Sequence, residues 1–285
     1  MKILILGANG MLGHVIFNYL TLKTKWKIFG TVRSKNKLNK NIHRNLYLFD
    51  LRNKKNILRI INILSPNLII NCIGVVKQNN MLNDISSTIY ANSLFVHELY
   101  DVCKIHNIRL IHFSTDCVFS GKEGNYFETD KPDATDLYGR TKFLGEINYE
   151  GMLTLRTSFL GHQIDADFSL LQWFLKQKGS CYGYQNAIYS GLPTVEIASI
   201  LMKHVIPNEE IFGLYHLSSE PINKYELLKI IKKIYGLNLL INKDKTVRID
   251  RSLNSDRFKK IVKYKSPSWN DMIKKMFKYR KLSYV

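Results

Sequence analysis

The chain has 285 residues, 45% of them hydrophobic and 23% charged, proportions that suit a folded domain with a full core and exclude collagen-like, disordered and disulfide-scaffold chains. Basic residues outnumber acidic ones 42 to 23, a net charge of +19, and the stretch from Lys224 to Val285 alone holds 18 basic against 5 acidic residues. No apolar run reaches the ~18 residues of a membrane span, the opening KILILGANGMLGHVIF is too broken by glycines for a signal peptide, and four scattered cysteines without a C-x-x-C pair read as reduced cytoplasmic thiols.

In chain order, an apolar strand at Lys2–Leu6 runs straight into Gly7-Ala8-Asn9-Gly10-Met11-Leu12-Gly13 and then a helix over Met11–Leu22. Glycines between a first strand and a first helix let the backbone turn tightly and approach a pyrophosphate, which rests on the helix N-terminus. The second strand, Trp26–Val32, ends in Arg33-Ser34-Lys35, and no Asp or Glu occurs before Asp50. An acid about 20 residues after the glycines would bind the ribose hydroxyls of NAD. Arg33, with Ser34 beside it, instead offers charge-assisted bonds to a 2′-phosphate, which favours NADP(H), with NAD(H) as the alternative.

A short strand at Leu46–Phe49 leads to Asp50-Leu51, where an adenine contact is expected, and to a helix at Lys55–Leu64. The run Leu68–Cys72 ends in Asn71-Cys72-Ile73-Gly74, whose glycine would let the backbone lie close to the cofactor. A helix over Ser87–His106 and a strand over Ile108–Ser114 complete a β/α alternation of near-continuous Ile, Leu and Val runs, the signature of a doubly wound parallel sheet of Rossmann type. Residues 1–160 are expected to form this NAD(P)-binding unit and 161–285 a smaller second unit or cap, with a segment such as 190–205 returning to the first. Beyond residue 160 short segments, aromatics and loops precede a helix at Lys224–Tyr235.

Tyr-x-x-x-Lys places a phenol and an ammonium one helical turn apart, and a nearby cation lowers a phenol's pKa toward useful acid–base range. The pattern occurs four times, at Tyr19/Lys23, Tyr100/Lys104, Tyr138/Lys142 and Tyr225/Lys229. Only Tyr138 follows a long loop, Phe119–Leu137, that leaves the carboxyl end of a predicted parallel strand, where ligands bind in such sheets. That strand ends in Ser114-Thr115-Asp116. Thr115 or Ser114 can hold a carbonyl oxygen while Tyr138 supplies a proton, although Thr115 could equally be a loop cap.

The blocks LILGANGMLG, FDL, NCIG, FSTDCVFSGKEGNYFETDKP, LYGRTKFLGE, LRTSFLGH and GLYHLSSEPINKYELL resemble the extended short-chain dehydrogenase/reductase superfamily and, within it, the dTDP-4-dehydrorhamnose reductase family, over essentially the whole chain. The resemblance implies a nucleotide-sugar reductase acting on a 4-keto-6-deoxy sugar for surface polysaccharide. It gives Thr115, Tyr138 and Lys142 as the catalytic set, Lys142 also holding the nicotinamide ribose. It implies a supporting role for Asn92, a pyrophosphate lining of Gly10, Met11 and Leu12, and sugar-nucleotide contacts from Asp116 and Phe159. Val75-Val76-Lys77-Gln78 departs from the rhamnose-pathway pattern, and Ile249–Leu253 is more similar to relatives acting on UDP-linked N-acetylated sugars. Arg251 or Arg257 could clamp a diphosphate bidentately, and each could equally be a surface cation. The rivals are a nucleotide-sugar epimerase or dehydratase and a non-catalytic NADP-binding regulatory subunit. No metal-ligand spacing is present. The lysine excess, threaded between apolar positions as in KYELLKIIKKIY, decorates a solvated face; nucleic acid is not an expected partner, while weak membrane-surface association and a homodimer stay open.

Overall fold

A computed structural model describes residues 1–33, 45–51, 55–75, 84–164 and 169–280. The first half builds β1 (Lys2–Leu6), α1 (Gly13–Lys23), β2 (Lys27–Val32), β3 (Leu46–Leu48), α2 (Lys55–Leu64), β4 (Leu68–Asn71), α3 (Ile85–Ile89), α4 (Phe95–Ile105), β5 (Arg109–Thr115), α5 (Leu137–Leu144) and β6 (Met152–Thr157). The second adds β7 (Phe159–Leu160), α6 (Leu170–Leu175), β8 (Gly179–Tyr189), β9 (Leu192–Pro193), α7 (Thr194–Ile200), β10 (Gly213–His216), β11 (Ile222–Asn223), α8 (Lys224–Tyr235), β12 (Leu239–Asp250), α9 (Asp256–Val262) and α10 (Trp269–Tyr279).

The central sheet has seven strands in the order β10-β6-β5-β4-β1-β2-β3, and every pairing in it is parallel. Strand order reverses between β1 and β4, so a crevice opens there beyond the carboxyl ends. Residues 3–6 are fully buried. Strand alternation sends Ile3 and Ile5 into one core layer and Leu4 and Leu6 into the other, as a sheet covered on both faces requires.

β10 forms one edge of this sheet although it lies late in the chain, and α7 packs against α1. Arg109, at the start of β5, ties the late segment down: its guanidinium donates to the carbonyls of Val205, Ile206, Asn208 and Ile211 at 2.8–3.3 Å. The first two of those carbonyls lie at the end of the π-helical turn Leu201–Val205 that continues α7, a C-terminus where a cation is favoured.

Three expectations change. The first helix starts at Gly13, not Met11, because Gly10 N–H turns back onto the Gly7 carbonyl at 3.0 Å. The single helix expected over Ser87–His106 begins at Ile85, capped by Asp84, and widens into a π-helical turn at Tyr90–Leu94. The second half holds more strand than its aromatic, loop-like sequence suggests: β8 and β12 pair in parallel over most of their length, with β11 antiparallel on the other side of β8. Among the described residues, no helix is long and apolar enough to cross a membrane.

Candidate active site

The glycine turn is held from behind by β2. Gly7 N–H donates to Thr31 Oγ1 at 3.1 Å and Ala8 N–H to the Thr31 carbonyl at 2.8 Å. Gly7 has φ +76°, and a Cβ there would press on Ile73 Cγ1 at 3.1 Å and the Cys72 carbonyl at 3.3 Å. A Cβ on Gly13 would overlap the Gly7 carbonyl oxygen. Side chains are thus excluded where β1 and β4 approach, leaving a cradle lined by backbone, the shape and chemistry a dinucleotide diphosphate needs. Gly10 is exposed and Asn9 and Met11 half-buried, whereas the Leu12 side chain is in the core, so Leu12 has only its backbone to offer.

Arg33 is exposed just past the end of β2, and Asp50 and Leu51 follow β3 at the same edge of the sheet. Ser34, Lys35 and Val76–Gln78 lie outside the described residues. Across the crevice, Ile73 N–H donates to Asn71 Oδ1 at 3.1 Å. A Cβ on Gly74 would sit 3.3 Å from Asn92 Oδ1 and 3.9 Å from Lys142 Nζ. Asn92, in the π-helical turn, exchanges hydrogen bonds with the Val75 backbone (2.8 and 3.1 Å) and donates to Thr141 Oγ1 (3.2 Å). The structure therefore gathers Gly7, Cys72, Ile73, Gly74, Asn92 and Lys142 around one opening.

Thr115 ends β5 and does two things. Its Oγ1 accepts from Cys117 N–H at 3.2 Å, the cap weighed from sequence, and its hydroxyl is near enough to the Tyr138 phenol to pull the phenol's pKa down. Ser114 points the other way, donating to Glu146 Oε1 at 2.6 Å, and takes no place at the opening. Lys142 is buried, with Nζ donating to the Phe113 carbonyl at 2.7 Å and 3.4 Å from His112 Nε2. Burial pulls its pKa from 10.5 down to about 8, opposed by the Glu146 carboxylate and Cys72. His112, which sequence reasoning missed, is pushed well below its ordinary range by burial and then by Lys142.

The expected effect of Lys142 on Tyr138 does not materialise. The phenol's pKa is raised, chiefly by burial and then by Cys117, while the Thr115 hydroxyl pulls it down. The ammonium is directed at the Phe113 carbonyl instead.

On the far side of Thr115 lies a charged group of residues from distant parts of the chain. Asp116 is buried, its Oδ1 accepting from Thr115 Oγ1 at 3.1 Å. Burial raises its pKa, and Arg251 and Lys224 oppose the rise. Arg251 uses Nε on the Phe119 carbonyl at 2.8 Å, so it is tied to the loop between β5 and α5 rather than free on the surface. Phe159 is half-buried in β7, two residues past the strand end that pairs with Thr115. Lys224, unremarked in the sequence, is announced there only as a cation opening an amphipathic helix. Among the described residues, no group of three or more His, Cys, Asp or Glu could hold a metal ion.

A sequence profile of the family described as RmlD substrate binding domain matches residues 1–281. The dTDP-4-dehydrorhamnose reductase of Aggregatibacter actinomycetemcomitans is 28% identical over 232 residues, covering 77% of this chain and 74% of that protein. Methionine adenosyltransferase 2 subunit beta of Xenopus laevis is 23% identical over 249 residues, 83% of this chain and 72% of that protein. The crystal structure of dTDP-4-dehydrorhamnose reductase from Bacillus anthracis str. Ames in complex with NADP superposes with a TM-score of 0.79 at 18% identity, over 98% of this chain and 99% of that one. The likeness of that structure is one of fold.

Proposed function

This chain belongs to the RmlD substrate binding domain family, and from that membership we propose that it is an NADPH-dependent reductase of the 4-keto group of a nucleotide-linked 6-deoxy sugar, supplying a cytoplasmic precursor of surface polysaccharide. The observation that carries this is that Lys142, buried on the Phe113 carbonyl of β5, comes up against Gly74 at the mouth of the glycine cradle, with Thr115 at the end of the same strand near enough to Tyr138 to pull its pKa down. A relative named as a dTDP-4-dehydrorhamnose reductase supports the substrate class, and turnover of the dTDP-linked against the UDP-linked sugar reads out the base.

The cradle of Gly7, Asn9, Gly10, Met11 and the Leu12 backbone would hold the diphosphate of NADP(H). Arg33, with Ser34, would take the 2′-phosphate, Asp50 and Leu51 the adenine side, and Cys72, Ile73, Gly74 and Lys142 the nicotinamide side. Bound NADPH supplies the hydride. Tyr138 then gives its phenolic proton to the carbonyl oxygen, and the Thr115 hydroxyl, turned from Asp116, donates its one proton to a hydrogen bond with the same oxygen. A raised phenol pKa suits this direction of reaction, because the acid arrives protonated and an alkoxide is a stronger base than any phenolate. Lys142, with a pKa of about 8, is charged at neutral pH, and with its ammonium held on the Phe113 carbonyl it would serve the nicotinamide ribose rather than the phenol. Asp116, Phe159 and Arg251 would contact the sugar nucleotide. On this reading 1–160 carries the cofactor and 161–285 the sugar nucleotide, with 190–205 given back to the first unit.

Tyr138→Phe removes only the transferable proton. NADPH affinity should stay within about twofold while turnover of a dTDP- or UDP-linked 4-keto sugar falls by ~10²–10⁴-fold. Undiminished turnover in the variant would overturn the assignment. The methionine adenosyltransferase subunit among the relatives favours one second reading, a cofactor-binding regulator. Tight NADPH binding by the native chain, with no oxidation of NADPH or NADH on either 4-keto sugar, would support it.

A further inference from the structure

α8 opens with a cation at the wrong end of a helix. Asn223 caps it, accepting from Glu226 N–H at 2.8 Å, and Lys224 is its first residue, where the helix dipole is positive and repels an ammonium. The side chain is half-buried, and burial pulls its pKa from 10.5 to about 8. Among the described residues the ammonium makes no hydrogen bond or ion pair. Its direct contact is the face of the Tyr189 ring, 3.8 Å from the centroid, a favourable cation–π placement that still leaves its N–H groups without acceptors. Two penalties and no acceptor are what a protein tolerates at a site whose partner arrives from outside.

The surroundings say what that partner offers. Lys224 is close enough to Asp116 and Cys117 for each to oppose its loss of charge. Asp116 Oδ1 in turn lies 3.1 Å from Thr115 Oγ1, the hydroxyl assigned to the carbonyl oxygen. A group bonded to the carbon next to that carbonyl would come within reach of Asp116, with the charge of Lys224 close by. It must donate a proton to a carboxylate and accept one from an ammonium, and a hydroxyl does both.

We propose that Lys224, together with Asp116, is a specificity-determining residue that recognises the hydroxyl vicinal to the reacting carbonyl, so that the site selects α-hydroxyketone sugars. The proposal rests on the reductase reading above. Lys224 donates to the hydroxyl oxygen and Asp116 accepts its proton, while Tyr189 keeps the ammonium aimed into the crevice.

The test is a two-by-two comparison of the native chain and Lys224→Met on a nucleotide-linked 4-keto-6-deoxy sugar and its 3-deoxy analogue. The native chain should prefer the 3-hydroxy substrate by about 10–100-fold in kcat/KM, the range for a hydrogen bond to a charged group, chiefly through KM. Lys224→Met should lose most of that preference while NADPH affinity stays unchanged. It should also melt at the same or a higher temperature, since a poorly solvated cation at a helix N-terminus has been removed. A merely structural lysine would instead lower the melting temperature and leave the preference intact, and that pair of results would overturn the proposal. A native chain that reduces neither sugar overturns the reductase reading and the proposal with it. Equal preference in native and variant overturns the proposal alone.

Discussion

Lys142 and Tyr138 sit one helical turn apart, yet burial moves their pKa values in opposite directions, the lysine down and the tyrosine up. In the cofactor-free protein this sets a stability window. Between about pH 8 and 10 the folded chain has released the Lys142 and Lys224 protons that an unfolded lysine still binds, so folding stability rises with pH. Above about pH 10 the unfolded tyrosines ionise while Tyr138 and Tyr189 stay protonated, and stability falls. Denaturant melts should show that maximum, and Lys142→Met should flatten the rising limb. Turnover should decline over the same rising limb as Lys142 loses its charge, so activity and stability run against each other. The residue pattern at this site was legible because Tyr138 alone of four Tyr-x-x-x-Lys pairs follows a long loop off a strand end. Which of Ser114 and Thr115 faces the opening was not, since alternation along β5 separates the two faces without saying which one the ligand sees. The chain sends Ser114 to Glu146 instead.

Elements are held to one another at the site by close backbone approach. α5, which carries Tyr138 and Lys142, starts at the Asp136 cap and ends on Gly145. A Cβ on Gly145 would overlap the Asn92 carbonyl oxygen, so helix and π-helical turn meet without a side chain between them. Ser93 reinforces the contact, its hydroxyl donating to the Thr141 carbonyl at 2.7 Å. Gly145→Ala should push the turn away, loosening Asn92 from Val75 and Thr141, with turnover at least tenfold lower and a lower melting temperature. Gly151→Ala is the matched control: φ is +77° with nothing within 4 Å of the added carbon, so it should cost about 1 kcal/mol of stability and no activity. The π-helical turn could not be read from sequence, because one extra residue in a turn leaves the apolar spacing on either side almost unchanged. β12 escaped for a different reason. From Asn242 to Asp250 it has no buried residue, so NKDKTVRID lacks the apolar alternation by which a strand is recognised.

Across the whole molecule, the site's two sides are joined by a buried ion pair. Arg156 on β6 grips Glu146, just past α5, through two bonds at 2.7 and 2.8 Å, both side chains nearly without solvent. Arg156 also lies 3.3 Å from His216 Nε2 on β10 and covers the Phe119 ring, which stacks on Tyr126. The helix that bears Lys142 is thereby coupled to the last strand of the sheet and to the loop that Arg251 holds. Glu146→Gln leaves Arg156 charged and poorly paired in the interior, and should destabilise the chain by ~3–5 kcal/mol in denaturant melts. Five of the seven strands, β1 to β5, followed from the β/α rhythm of the sequence, while β6 was not recognised in it. The membership of the sheet's edge strand did not follow either, because Gly213–His216 is too short to be distinguished by pattern alone.

That edge strand bears on how the protein is made. When the ribosome has released residues 1–160, β6 still lacks its neighbour. Arg109 still lacks the carbonyls of Val205, Ile206, Asn208 and Ile211, and Arg156 its histidine. The nascent first half must therefore wait, one sheet edge open and two guanidiniums short of partners, until His216 has emerged from the exit tunnel. A gene fragment cut at the apparent end of that half would encode a chaperone client rather than a module.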